Sequence, residues 1–157
     1  MSNLKSKKLF LLDMDGTIYL DNMLFDGTLD FLEYVKLVGG KYMFLTNNSS
    51  KSVDKYIEKL EKLGISSVAD DFLTSVNATV LYLRKKNYKK IYAFGTMSFC
   101  TQLSSAGFNI TTKLEDDIDC LCMGFDTELS FNKLEDACIL LGKWRCSAGN
   151  APMRSAL

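Results

Sequence analysis

Short apolar runs alternate with segments of helical periodicity along most of this 157-residue chain. Runs with the length and composition of buried strands lie at 9–12, 42–45, 91–94 and 118–123. The segments between them repeat apolar residues at helical spacing, most regularly at Val53, Tyr56, Ile57, Leu60 and Leu63. Alternating strands and helices favour an α/β fold with a mainly parallel sheet.

The periodic segments also predict where each helix ends and which face it buries. Gly39-Gly40 ends a first helix, Gly64 ends the second, and Arg84-Lys85-Lys86 closes a third. A short helix is expected from Leu103 to Gly107, and a last one opens at Ser130. The predicted buried faces are Leu29, Leu32 and Val35, then Val76, Val80 and Leu83, and finally Phe131, Leu134, Cys138 and Leu141. From Gly142 onward neither period continues, which predicts an irregular tail.

The residue counts exclude several classes of function. Histidine is absent, which excludes Ser-His-Asp and Cys-His catalysis and removes the commonest zinc ligand. Basic and acidic residues number 19 each, so no net field favours nucleic acid or an anionic membrane as a partner. The apolar run before Asp13 is too short for a signal peptide or a membrane span, and the five cysteines form no disulfide pattern. We therefore expect a cytoplasmic location.

Polar side chains follow two of the predicted strands directly. Asp13 comes one residue after the first apolar run, and Thr46 comes one residue after the second. In an open parallel sheet, ligands bind beyond the carboxyl ends of the strands, so neighbouring strands would bring these two residues together. With the backbone amides of Met14, Asp15 and Asn47, a carboxylate and a hydroxyl suit a phosphate group.

This arrangement predicts phosphate-ester hydrolysis with Asp13 as the nucleophile, because an ordinary aspartate is ionised at neutral pH. Two like charges about 4 Å apart repel by roughly 4 kcal/mol at an effective dielectric near 20, so we infer that Mg²⁺ offsets the repulsion by the phosphate. Asp15 would serve as general acid and base, a role that burial beside another carboxylate favours. Gly16 and Thr17 permit the tight turn that brings Asp15 over the site.

Two segments resemble the signature motifs of one enzyme superfamily. DMDGT at 13–17 is similar to the first motif of the haloacid dehalogenase superfamily, and LTNNSS at 45–50 resembles the second motif of its NagD-like, p-nitrophenylphosphatase-like branch. The likeness extends to about residue 142. It implies a Rossmann-like parallel sheet core, incomplete here, with part of an inserted α/β cap. The corresponding divisions are 1–76 for the core, 77–142 for the cap and 143–157 for a divergent tail.

The resemblance also implies a role for each strand-end residue. Asp13 would be the nucleophile and a magnesium ligand, and Asp15 would be the acid/base residue that offers its backbone carbonyl to the metal. Thr46 would bind the phosphoryl group. The other residues expected around the substrate, a small phosphorylated metabolite, are Met14, Gly16, Asn47 and Asn48.

The sequence departs from the family pattern after the cap region. The family has a lysine and a GDxxxTD-like acidic pair there, whereas residues 143–157 contain no aspartate or glutamate. Gly142-Lys143 matches the lysine motif superficially but lies too early in the chain. These departures suggest a truncation or a shifted reading frame and an impaired enzyme. The alternative is a non-catalytic domain that binds only phosphate or a partner, including a second copy, through an exposed sheet edge.

Simpler interpretations apply to several residues. An EF-hand loop starting at Asp13 is excluded, because Ile18 and Leu24 occupy the positions that require glycine and glutamate. Cys120 and Cys122 share a strand face that could suit a soft metal, but core packing is the simpler interpretation. Core positions are also expected for Cys100 and Cys138, and a solvated helix end for Lys85, Lys86, Lys89 and Lys90.

Overall fold

The computed structural model describes residues 6–146, and the chain divides into two compact units. The first unit comprises Met1–Thr46 and Val53–Thr74, and the second comprises Asn47–Ser52 and Ser75–Leu157. The chain therefore passes into the second unit for six residues, returns, and leaves again after Thr74. Both units have α/β architecture, which confirms the predicted fold class.

The first unit is built on a three-stranded parallel sheet with the strand order β1-β4-β5. A two-stranded antiparallel hairpin, β2-β3, follows the first strand. The elements are β1 (Leu9–Asp13), β2 (Tyr19–Leu20), β3 (Met23–Leu24), α1 (Thr28–Leu37), β4 (Lys41–Thr46), α2 (Val53–Lys62), a 3₁₀ turn (Ala69–Asp71) and β5 (Phe72–Thr74).

The core of this unit lies between the sheet and its two helices. Alternate residues of β4 are buried, namely Tyr42, Phe44 and Thr46, as the two-residue period of a strand requires. The helix α2 buries Tyr56 and Leu60 on the predicted face. It ends where Gly64 adopts φ +82°, which lets the amide of Ile65 donate to the Leu60 carbonyl at 2.8 Å.

The helix α1 buries a slightly different face from the one predicted. Leu32 and Val35 are buried, as expected, but Thr28 is the third buried residue, and Leu29 is 48% exposed. Thr28 is buried because its hydroxyl donates to the Ile18 carbonyl at 3.2 Å. Because this contact points Thr28 inward, the next residue, Leu29, lies on the exposed side of the helix. The predicted burial of Leu29 is therefore wrong.

The second unit is a three-stranded parallel sheet with the order β7-β6-β8. Its elements are α3 (Ser75–Lys86), β6 (Lys90–Phe94), α4 (Met97–Ser105), β7 (Asn109–Thr111), β8 (Cys120–Met123) and α5 (Phe131–Cys146). Alternate residues of β6 contact opposite layers: Ile91 and Ala93 pack with α3 and α4, whereas Tyr92 and Phe94 pack with α5. The sheet is thus covered by helices on both faces, as parallel sheets usually are.

The orientation of α5 differs from the prediction. Phe131 is 78% exposed, Leu134 is 44% exposed and Cys138 is exposed, whereas the fourth predicted residue, Leu141, is partly buried against the cluster that contains the buried Ala137 and Leu140. The inward face also carries two polar residues, which the apolar period could not reveal. Lys133 pairs with the nearly buried Asp126 at 2.9 Å, and the Tyr92 hydroxyl donates to Asp136 at 2.9 Å.

Other boundaries differ in smaller ways. The helix predicted at 103–107 begins at Met97, because the Thr96 hydroxyl caps it by accepting from the Phe99 amide at 3.2 Å. The helix α5 continues to Cys146, so the predicted irregular tail from Gly142 is wrong as far as that residue. The rest of the predicted tail lies outside the described residues. Lys143 lies on this helix and pairs with Asp116 at 3.1 Å.

The cysteines and lysines are partly as predicted. Cys100, Cys120 and Cys122 belong to or pack against one apolar cluster, which confirms core packing for these three thiols. Lys90 is not part of a solvated helix end, since it is the first residue of β6 and pairs with Glu115 and Asp117. None of the helices between residues 6 and 146 is both long and apolar enough to span a membrane.

Candidate functional site

Asp13 and Thr46 end two neighbouring parallel strands of the first unit. Asp13 is the last residue of β1 and lies opposite Leu45 in the strand register, and Thr46 is the next and last residue of β4. The two residues therefore lie side by side at the carboxyl ends of neighbouring strands, as the sequence predicted. Asp13 is exposed, whereas Thr46 is buried with 6% of its surface accessible.

A tight turn follows β1 and places Asp15. The Met14 carbonyl accepts hydrogen bonds from the amides of Thr17 at 3.2 Å and Ile18 at 2.9 Å, and the Met14 side chain is fully buried. Gly16 adopts φ +82°, a conformation that glycine reaches without strain. Its amide donates to the Tyr19 carbonyl at 2.8 Å, so this donor already has a partner within the turn. The sequence prediction that Gly16 permits a tight turn agrees with this geometry.

The Asp15 side chain is 63% exposed, so the burial expected for it is absent from the described structure. Its Oδ1 lies 3.9 Å from Nζ of Lys59, a residue of α2 whose side chain is only 24% exposed. The same ammonium lies 3.6 Å from the centre of the Tyr19 ring. The environment of Asp15 is therefore set by a cation on an aromatic ring rather than by a second buried carboxylate.

Two buried tyrosines complete this part of the first unit. The Tyr56 hydroxyl accepts a hydrogen bond from Thr46 Oγ1 at 3.4 Å, and its ring is 2% exposed. Burial raises the pKa of Tyr56, although the bond to Thr46 lowers it. Burial also raises the pKa of the fully buried Tyr19, and the nearby charge of Asp15 raises it further. Both phenols are thus neutral at physiological pH.

The residues after Thr46 belong to the second unit. The Asn47 carbonyl accepts from the Ser75 hydroxyl at 3.0 Å, and Asn48 Oδ1 accepts from the amide and hydroxyl of Ser50 at 2.9 and 2.6 Å. Asn48 therefore stabilises its own turn. A substrate-binding role for Asn47 and Asn48 stays a prediction.

The serines of this segment have a structural role that the sequence did not reveal. The buried Ser49 hydroxyl accepts from the Phe125 amide at 2.7 Å, and Thr96 donates to the Ser50 carbonyl at 3.3 Å. A Cβ atom on Gly124 would lie 2.6 Å from Ser49 Oγ. The glycine at this position therefore makes room for the serine.

Sequence reasoning also missed the part played by Lys59. One signal was present, since Lys59 falls between Tyr56 and Leu60 on the apolar face of α2, where a charged residue is unexpected. Lys55, another lysine of that helix, is 63% exposed and pairs with Glu58 on the outer face. A lysine on the buried face requires a partner, and Asp15 is that partner.

The donor set at the end of β1 suits magnesium. No group of three or more histidine, cysteine, aspartate or glutamate residues within 6–146 could hold a metal ion. Magnesium nevertheless binds through one or two carboxylates, with water and phosphate oxygens completing its shell. The exposed carboxylate of Asp13 fits that requirement, whereas the Asp15 side chain already faces an ammonium group.

Comparison with known proteins gave matches over most of the chain. The family profile described as haloacid dehalogenase-like hydrolase matches residues 10–109. The acid sugar phosphatase of Staphylococcus aureus is 30% identical over 132 residues, which are 83% of this chain and 50% of that protein. This chain therefore spans about half the length of the curated relatives it matches.

Two solved structures show the same fold. A protein described as a putative nagD protein superposes with a TM-score of 0.82 and 37% identity, over 90% of this chain and 55% of that one. The 4-nitrophenylphosphatase from Thermotoga maritima gives a TM-score of 0.81 and 36% identity, over 88% of this chain and 52% of that one. The residues matched by the family profile, 10–109, include both Asp13 and Thr46.

Proposed function

Because this chain belongs to the haloacid dehalogenase-like hydrolases, we propose that it hydrolyses small phosphate monoesters through an aspartyl-phosphate on Asp13. The observation that carries the proposal is the strand register, which puts Asp13 and Thr46 together at the carboxyl ends of β1 and β4. An exposed carboxylate beside a hydroxyl can attack a phosphoryl group and bind its oxygens.

The reaction has two steps. A carboxylate oxygen of Asp13 attacks phosphorus, the ester P–O bond breaks, and the protonated Asp15 gives its proton to the leaving alcohol. Asp15 then removes a proton from water as the water oxygen attacks phosphorus. Inorganic phosphate leaves, and both aspartates return to their starting states. Asp15 lies two residues after the nucleophile, and the turn at Gly16 determines its position.

The other proposed site residues bind the phosphoryl group or the metal. Thr46 would donate its hydroxyl hydrogen to a phosphoryl oxygen, with Met14, Gly16, Asn47 and Asn48 around the substrate. Magnesium, held by the Asp13 carboxylate and the Asp15 carbonyl, would neutralise charge between the phosphate and Asp13. This set leaves the Asp15 carboxylate for proton transfer.

The proposed substrate is a small phosphorylated metabolite. Relatives named acid sugar phosphatase and 4-nitrophenylphosphatase support a phosphate monoester on a small organic group. Residues 143–157 contain no aspartate or glutamate, so this segment does not supply the acidic pair of the family. Removing one such electrostatic group typically lowers the rate by about 100- to 1,000-fold, so we propose slow turnover by residues 1–157.

A cytoplasmic location is part of the same proposal. Cys100, Cys120, Cys122 and Cys138 are free thiols, and Cys100 and Cys122 are buried. Burial raises the pKa of Cys122 to about 12, so this thiol is protonated and unreactive at physiological pH. Unpaired, buried thiols suit a reducing compartment.

The test is phosphate release from 4-nitrophenyl phosphate with and without added magnesium. We expect slow, magnesium-dependent release that is abolished in Asp13→Asn. Asp30→Asn is the matched control, because it removes the charge of an exposed aspartate in the first turn of α1. Equal release by the parent and by Asp13→Asn would show that Asp13 is not the nucleophile.

A second candidate is a non-catalytic domain that associates through its sheet edge. Strand β1 has one strand neighbour among the described residues, and Leu9 and Leu11 are 55% and 54% exposed. An unpaired edge with exposed leucines favours pairing with another chain, which includes a homo-oligomer. This candidate predicts no turnover and oligomers that grow with concentration in light scattering. A monodisperse monomer with clear turnover would reject it.

A further inference from the structure

Lys59 has contacts that distinguish it from an ordinary surface lysine. It lies on the inner face of α2, its side chain is 24% exposed, and it contacts both Asp15 and the Tyr19 ring. Lys55 on the outer face of the same helix is 63% exposed. We propose that Lys59 is a positioning residue, which holds the Asp15 carboxylate in one orientation for proton transfer.

The Tyr19 ring gives Lys59 a fixed location. Tyr19 has no exposed surface, and it belongs to the main apolar cluster of the first unit. The ammonium lies 3.6 Å from the ring centre, a distance at which the ring face attracts a cation. A lysine side chain that contacts both a buried ring and a carboxylate loses much of its freedom, so the two contacts together keep its charge in one place.

The charge of Lys59 then acts on Asp15. Nζ approaches Oδ1 at 3.9 Å, which is an ion-pair contact longer than a hydrogen bond. Attraction to one carboxylate oxygen favours one rotamer and leaves the second oxygen for the leaving group or the attacking water. The backbone of Asp15 is held separately, because residues 15 and 19 form a β-bridge. Backbone and side chain of the acid/base residue are thus each fixed by a different contact.

This inference rests on the proposed function, and its first test is kinetic. We expect Lys59→Met to lower kcat by about 10- to 100-fold and to change KM by less than about 2-fold, because a misplaced proton donor slows chemistry rather than binding. Methionine keeps the length and apolar packing of the side chain. Lys59→Arg should recover most of kcat, since a guanidinium group also stacks on tyrosine and pairs with a carboxylate.

Lys62→Met is the matched control, because Lys62 is an exposed lysine on the same helix. Equal kcat values for Lys59→Met and Lys62→Met would overturn the inference. A rise in KM with kcat unchanged would also overturn it. So would a kcat of Lys59→Arg that is no higher than the kcat of Lys59→Met.

A second measurement does not depend on turnover. In NMR spectra of the whole chain, the Tyr19 ring current should shift the Lys59 ε-methylene protons upfield. We expect Asp15→Asn to reduce that shift and Asp30→Asn to leave it unchanged. If the parent releases no phosphate, the proposed function fails, and this spectrum decides the inference. An unshifted Lys59 signal, or one insensitive to Asp15→Asn, would overturn it.

Discussion

The Thr46 hydroxyl takes part in two hydrogen bonds, one in the described structure and one in the proposed reaction. In the described structure it donates to Tyr56 at 3.4 Å, and in the proposed reaction it donates to a phosphoryl oxygen. The two uses are compatible, because the neutral Tyr56 hydroxyl can rotate and become the donor to Thr46 Oγ1. Tyr56 is 2% exposed, so water cannot readily replace it in this role. Tyr56 therefore contributes to the orientation of the Thr46 hydroxyl.

Removing that partner should weaken phosphate binding. We expect Tyr56→Phe to raise the Kd for inorganic phosphate by about 2- to 10-fold, since one neutral hydrogen bond contributes about 0.5–1.5 kcal/mol. Isothermal titration calorimetry measures this without any turnover. Tyr34→Phe, at a 44% exposed tyrosine of α1, is the control. The same Kd in both variants would contradict the role given to Tyr56.

Among the helices and strands, those with regularly spaced apolar residues could be predicted from the sequence. The helix α2 was predicted correctly because one face carries almost all its apolar residues. The helix α5 has apolar side chains on several faces, and its inner face includes Lys133 and Asp136, so spacing alone selected the wrong side. The strands β5 and β7, with three residues each, are too short to show a period.

The same argument applies to the candidate site. Asp13 and Thr46 could be predicted as neighbours, because parallel strands end at a common edge and each strand was recognisable. The contact of Lys59 with Asp15 joins residues 44 positions apart in sequence on a helix and a turn. Only the packed structure reveals such a contact, since it depends on how α2 lies on the sheet.

The observed orientation of α5 can be tested by two leucine variants. Leu140 is 2% exposed and packs with the cluster around Tyr92, whereas Leu134 is 44% exposed. We expect Leu140→Ala to lower the free energy of unfolding by about 2–5 kcal/mol and Leu134→Ala by much less. Urea denaturation measures both. A larger loss for Leu134→Ala than for Leu140→Ala would mean that α5 presents the predicted face to the sheet.

For the molecule as a whole, the side of β1 that has no strand neighbour among residues 6–146 is the feature with the widest consequence. Its one partner strand there is β4, as the order β1-β4-β5 shows. Leu9 and Leu11 add exposed apolar surface to this edge strand. An edge of this kind promotes association unless charges or other chains cover it.

Charges placed on that strand should therefore reduce association. We expect the double variant Leu9→Lys and Leu11→Lys to lower the average molar mass in multi-angle light scattering wherever the parent forms oligomers. Leu37→Lys is the control, because it adds one charge at an 82% exposed leucine of α1. If the double variant and the control associate to the same extent as the parent, β1 is not the contact surface.

The six residues Asn47–Ser52 make the second unit discontinuous in sequence. A fragment that starts at Ser75 would lack Ser49, and the Phe125 amide would lose its acceptor at 2.7 Å. The space that Gly124 leaves for that serine would become a void beside Phe99. A gene cut once between codons 74 and 75 therefore yields two imperfect halves, and any shuffling of these units among relatives must carry the short hexapeptide along with the longer segment.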